Sequence, residues 1–364
     1  MFGKMMKNYY YGKSGKGDYT KDDLPKNRWQ LFWEMLRVRL SGLCRLNLMT
    51  IAAWLPLLIV MFSIATSVLG IMNANAVYLN YYKQGVTELP EGYSQESMEL
   101  LDQQINALIE SSEVISQAEN PVEAAVSLAE GELMRSYLMR LLLWLIPCIA
   151  VTGPAQAGMA YVTRNWSRDE HAFIWSDFKD AVKENWKQAL GVSAITSVIP
   201  LIVYVCYQFY GDKVDSSLLF IVPQMLTLTV GLVWMLGVTF MYPMMVSYKV
   251  TFRQLVKNSL MLAVGRLPQT VGVRLALLLP AALLVLIGVM TDSLLLFLLI
   301  AGYYIVLGNA LARFVIASYT NGVFDRYINS RLEGVPVNRG LAVSADDEDE
   351  EEDEEEEGKN APEA

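Results

Sequence analysis

Apolar residues arrive along this chain in six long runs separated by polar segments. Runs of about 20 residues with few charges have the length a helix needs to cross roughly 30 Å of hydrocarbon. They occupy residues 48–70, 137–160, 189–210, 217–245, 270–290 and 293–317. The fourth is long and carries Pro223 and Pro243 near its ends, so it is predicted to tilt or bend rather than divide. The fold class read from this pattern is all-α: a polytopic helical membrane protein of about six transmembrane helices, with membrane-parallel amphipathic helices on its cytoplasmic side.

Between the runs the periodicity changes. In "FKDAVKEN" (residues 178–185) and the tryptophan that follows, Phe178, Val182 and Trp186 fall four apart, and Lys179, Lys183 and Lys187 form the neighbouring row. The segment "FRQLVKNS" (residues 252–259) repeats the pattern with Phe252, Arg253, Val256 and Lys257. A looser copy, "LFWEMLRVRL" (residues 31–40), also precedes an odd-numbered run, so the chain reads three times as cytoplasmic helix, span, span. Such helices suit a headgroup layer, with aromatics buried and bases near anionic lipid; they also suit docking of a cytoplasmic partner such as a transporter ATPase. Within residues 71–134, Met98, Leu101, Ile105, Leu108 and Ile109 recur at helical spacing and predict an outer amphipathic helix. Pro121, at a first helical position, predicts another helix leading into the second span.

Composition agrees: 53% of residues are apolar and the mean hydropathy is +0.29. Charge sets the expected orientation. The first 46 residues hold ten Lys or Arg against four acids, whereas residues 71–134 hold eleven acids and only Lys83 as a base. Under the positive-inside rule the N-terminus is cytoplasmic, and an even number of spans returns the C-terminus to the same side, in the plasma membrane. No cleavable signal peptide is visible, and the first span is expected to stay as an anchor. The expected organisation is a basic N-terminal segment with an interfacial helix (1–46), a first span (47–70), an acidic outer insertion (71–134), a five-span membrane domain (135–320) and a cytoplasmic tail (321–364). That tail contains "DDEDEEEDEEEE", a self-repelling run expected to be disordered, whose acids outweigh the net charge of −9 and leave the rest of the chain mildly basic.

Candidate chemistry is sparse. His171 is the only histidine, so a His-ligated metal centre or a His-based triad is not expected. "GKS" at residues 12–14 lacks the glycine and the strand of a phosphate loop. Cys44, Cys148 and Cys206 all lie in or beside apolar runs and imply no disulfide framework. The reading is therefore a non-enzymatic protein with no cofactor, no metal and no nucleic-acid partner. In "IPCIAVTGPAQAGMAYVTRNW" (residues 146–166), Gly153 and Pro154 predict a kink, and Ala155, Ala157, Gly158 and Ala160 offer a smooth face for close helix contact. Tyr161, Arg164 and Trp166 are expected to mark the exit at the interface. Among polar residues within the spans, Asn309 and Arg313 lie one turn apart, and Gln224 beside Pro223 is a further candidate for an intramembrane polar site. No Asp or Glu sits at mid-span, which argues against an ion-driven transporter.

The stretch "WLIPCIAVTGPAQAGMAYVTRNWSRDE", the following "FIWSDFKDAVKENWKQAL", the later "YPMMVSYKVTFRQLVKNSLMLA" and "RLNLM" at residues 45–49 together resemble the YesL family of bacterial multi-pass membrane proteins. The resemblance covers residues 45–56 and most of 140–320; the departure is the extra span and acidic outer insertion. The family has no agreed activity. Its members are often encoded beside sugar-uptake transporters and carbohydrate-degrading enzymes, so the resemblance implies an accessory or permease-like role in solute uptake, with a transporter ATPase or solute-binding protein as partner. An organiser of partners or anionic lipid at the inner leaflet, acting through the basic helices and acidic tail, is the other reading.

Overall fold

The computed structural model describes residues 24–84, 92–214, 216–291 and 294–342. The acidic run at 346–357 and the basic residues before Leu24 lie outside these. The described residues form helices and connecting turns, with no strand. Among the described residues six helices are long and apolar enough to cross a membrane.

The chain begins with α1 (Arg28–Gln84), whose first turn is capped by Asn27: its Oδ1 accepts from the Gln30 backbone N–H at 2.9 Å. At 57 residues α1 is about 85 Å long, well beyond the hydrocarbon thickness, so the first amphipathic copy and the first span are one continuous helix. After it come α2 (Gln95–Ser111), the short α3 (Glu113–Ser116), α4 (Pro121–Ala150), α5 (Gly153–Trp166) and α6 (Ser176–Val214). In α6, too, the amphipathic segment runs unbroken into its span. The remainder is α7 (Ile221–Ser247), α8 (Phe252–Gly265), α9 (Leu267–Met290), α10 (Leu294–Tyr303), a π-helical turn over Tyr304–Gly308, and α11 (Asn309–Tyr327). In this third copy alone the amphipathic helix and the span are separate. A Thr251 capping box starts α8, and Arg266 interrupts the helix just before Leu267 and Pro268, where proline is tolerated in a first turn.

The chain divides into two compact units. One comprises residues up to Met49, Gln156–Asn185 and Thr239 onward. Its core gathers Leu31, Met35, Leu43 and Leu46 of α1, Met159, Val162 and Trp166 of α5, and Phe314 of α11. Trp166 is 2% exposed, lies against Gly42, and donates its indole N–H to the Ala172 carbonyl at 3.2 Å; it is a core residue and not an interfacial anchor.

The other unit comprises Thr50–Ala155 and Trp186–Val238. The predicted outer helix is α2, started by a Ser94 capping box. Its Met98 and Ile105 are buried with Tyr78, Ile115, Ala125 and Val126, and Leu101, Leu108 and Ile109 pack against them. Tyr78 donates to Asp102 at 2.8 Å, and Asn75 donates to Glu130 at 3.0 Å. Elsewhere in this unit Ile59 and Phe62 of α1 are 65% and 73% exposed, an arrangement that suits contact with lipid tails. Cys44, Cys148 and Cys206 are free thiols.

Candidate functional site

The segment around Gly153 is an interruption with a repair. The helix stops after Ala150, Val151 and Thr152 form a turn, and α5 restarts with Pro154 in its first turn, where a missing N–H costs nothing. The Ala150 carbonyl, released by the break, accepts from Ser193 Oγ of α6 at 2.6 Å. A Cβ on Gly153 would collide with that hydroxyl and with the Ala189 carbonyl. Further along α5, a Cβ on Gly158 would come within 2.5 Å of the Phe178 ring, and Ala157 is fully buried. The small-residue face therefore meets the apolar row of α6, as close backbone approach requires.

That packing decides what the amphipathic copies present. Phe178 and Val182 are half-buried against α5, while Lys179, Lys183 and Lys187 are exposed, with Lys187 over the exposed Trp186 ring. In α8, Leu255 and Ser259 are buried, Phe252 and Val256 half-buried, and Arg253 and Lys257 exposed. Both helices turn part of their apolar row into the protein, Phe178 and Val182 in α6 and Phe252 and Val256 in α8, while Trp186 stays exposed and the open face of α6 carries Asp180 and Glu184 beside its lysines.

Within the first unit, Arg313 lies 4.6 Å over the Tyr242 ring of α7 and donates to the Gln156 side-chain oxygen of α5. Arg274 of α9 donates to Thr239 Oγ1 at 2.8 Å. Asn309 hydrogen-bonds to neither; its proximity to Arg313 along the helix does not make a pair. Gln224 belongs to the second unit, where its amide donates to the Tyr207 carbonyl at 3.2 Å.

The element that sequence reasoning missed is the π-helical turn Tyr304–Gly308. Asn47 of α1, 2% exposed, donates to the carbonyls of Tyr304 and Ile305 at 3.0 and 2.7 Å and accepts from the Ala310 N–H at 2.9 Å. One amide thus serves three backbone groups that the altered ladder releases. The available signal was Asn47 between Leu46 and Leu48 in "RLNLM", at the start of an apolar run.

At the end of this unit where α5 and α11 finish, polar groups concentrate. Asp325, 5% exposed, accepts from Arg28 at 2.6 Å, from the Asn338 backbone N–H at 3.2 Å and from the Asn329 amide. Tyr248 donates to Asn329 Oδ1 at 2.6 Å; burial, followed by the nearby Asp325 carboxylate, pushes its phenol up to about 12. Asn321 bridges the Arg164 carbonyl and Ser167 Oγ. Beside this network, Arg28, Arg266 and Arg326 border a groove of about 810 Å³ walled by Trp29, Phe32 and Tyr319.

A model of the family described as "Protein of unknown function, DUF624" matches residues 137–207, which run from the middle of α4 through α5 and most of α6. No curated protein and no solved structure matches the chain. The match coincides with the interrupted helix and its basic neighbour, and the helical, membrane-like fold fits an integral membrane protein of unknown role.

Proposed function

We propose that this protein is a non-enzymatic component of solute uptake, an accessory or permease-like partner of a carbohydrate transporter in the plasma membrane, with both termini cytoplasmic. The observation that carries the reading is the exposed Lys179, Lys183 and Lys187 row on a helix whose Phe178 and Val182 are already packed against α5. With Phe178 and Val182 engaged inside the protein, the exposed lysine row is free to dock an acidic surface. The YesL resemblance, consistent with the DUF624 match, supports the link to sugar uptake by association. Purification of the tagged protein in mild detergent, with mass spectrometry of whatever accompanies it, tests this. A transporter ATPase or solute-binding protein should be retained by the wild type and lost from a Lys179→Glu, Lys183→Glu, Lys187→Glu variant; retention by the variant counts against the reading.

The groove bordered by Arg28, Arg266 and Arg326 favours a second reading, an inner-leaflet organiser that holds anionic amphiphiles, because guanidinium groups beside aromatic walls suit a charged head on an apolar body. In that case deletion of residues 346–357 should change the set of co-purified proteins, while the Lys-to-Glu variant should not.

A further inference from the structure

A second, smaller cavity of about 130 Å³ lies in the same unit, and three arginines line it: Arg164, Arg168 and Arg339. Tyr248, Asn329, Ser247 and the segment through Val335 and Pro336 complete the wall. Arg168 is 9% exposed, and its buried Nε has no hydrogen-bond partner. The nearest carboxylate oxygen, Glu170 Oε1, is 3.8 Å away and is in direct contact with Arg339. Arg164 spends one N–H on the Val246 carbonyl at 3.4 Å, and its Nε is also buried without a partner.

Among the described residues the guanidinium groups outnumber the carboxylates here: Asp325 is committed to Arg28, and Glu170 is shared between Arg168 and Arg339. Buried unpaired N–H groups of a cation are costly, and like charges four residues apart repel. Burial first, then the neighbouring Arg168, lowers the Arg164 pKa from its ordinary value, the response of a cation short of counter-charge. The backbone is arranged to keep the groups together: Asp169 takes a left-handed turn (φ 56°) that brings Glu170 back onto α5, and Gly340 (φ 81°) lets the C-terminal segment press on the Arg168 carbonyl, where a Cβ would sit at 3.0 Å.

We propose that Arg164, Arg168 and Arg339 form a binding site for a phosphomonoester dianion, either free phosphate or the exposed phosphate of a lipid headgroup. A phosphomonoester carries about −1.5 to −2 charges at neutral pH and presents three acceptor oxygens, matching both the charge surplus and the free N–H groups. The cavity is sized for the phosphate alone. The inference is independent of the uptake reading, since it uses none of the lysines of α6.

The test is thermal unfolding of the full-length protein in detergent, titrated with inorganic phosphate against chloride at matched ionic strength. Phosphate should raise the Tm saturably. Arg168→Gln and Arg339→Gln should each weaken the apparent affinity about tenfold or more, while Arg135→Gln, at an exposed base outside the site, leaves it unchanged. Arg339 is 46% exposed, so its variant keeps the result readable if Arg168→Gln does not fold. No response in the wild type, or an equal response in wild type and Arg339→Gln, overturns the proposal. Repeating the titration in phosphatidylcholine discs with and without phosphatidic acid separates the sources: a phosphate response that disappears with phosphatidic acid assigns the site to a lipid headgroup, and one that persists assigns it to free phosphate.

Discussion

Two disturbances of the helix ladder, at Gly153 and at Tyr304–Gly308, are built differently. Between α4 and α5 the chain itself supplies the cause: Gly153 and Pro154 end one helix and begin the next, and Ser193 of α6 then satisfies the Ala150 carbonyl. At Tyr304–Gly308 no proline is present, the helix never stops, and the ladder widens into a π-turn over which Asn47 of α1 forms three hydrogen bonds. In the first case the remote side chain repairs a local defect. In the second, the remote side chain stabilises an arrangement that the local sequence would not choose, since an uninterrupted α-helix is available to those residues.

This contrast can be pressed by mutation. The largest effect is expected from Gly153→Val, because the new side chain meets the Ala189 backbone as well as Ser193; a loss above about 3 kcal/mol should appear as collapse of the yield of monodisperse protein. Asn47→Ala should cost about 3 kcal/mol, read as a lower Tm, because three backbone groups, the buried Ala310 N–H among them, lose this partner together. Asn47→Asp sharpens the point, since a carboxylate still accepts from Ala310 but cannot donate to Tyr304 and Ile305; recovery of wild-type stability by this variant would refute the role of those two bonds. Ser193→Ala removes a single neutral hydrogen bond beside a break that Gly and Pro already enforce, so about 1 kcal/mol is expected. Smallest of all, the Lys179, Lys183, Lys187 to Glu variant should leave the Tm unchanged within error while altering partner retention, because those side chains are exposed.

The same division runs through the amphipathic copies. Their four-residue spacing was legible in the sequence, as were the small residues of α5, but which surface the aromatic row would face was not. Phe178 turned towards Gly158 rather than towards headgroups, and only the packed helices show it. Whether an amphipathic copy joins its span was also hidden: α6 continues through residues 186–200, whereas α8 stops ahead of Leu267 and Pro268. Trp166, read as an interfacial exit, is a core residue for a related reason. Gly42 on α1 leaves room for its ring, and nothing near Trp166 in the chain announces that glycine.

What the sequence determined by itself was set by solvent and by neighbours along the chain: six span-length apolar helices from the length of the apolar runs, the amphipathic α2 from its period, the start of α4 from Pro121 and the break from Gly153 and Pro154. These follow from transfer free energies and backbone sterics that act over a few residues. The tertiary structure alone decided the pairing of Arg313 with Gln156 and Tyr242, the π-turn held by Asn47, and the gathering of Arg164, Arg168 and Arg339 around one cavity. Each joins residues from more than one element, and Arg168 and Arg339 are separated by well over a hundred positions. Linear order carries no information about which buried donor will meet which acceptor; that is settled only when the helices pack and every polar group left inside must find a partner.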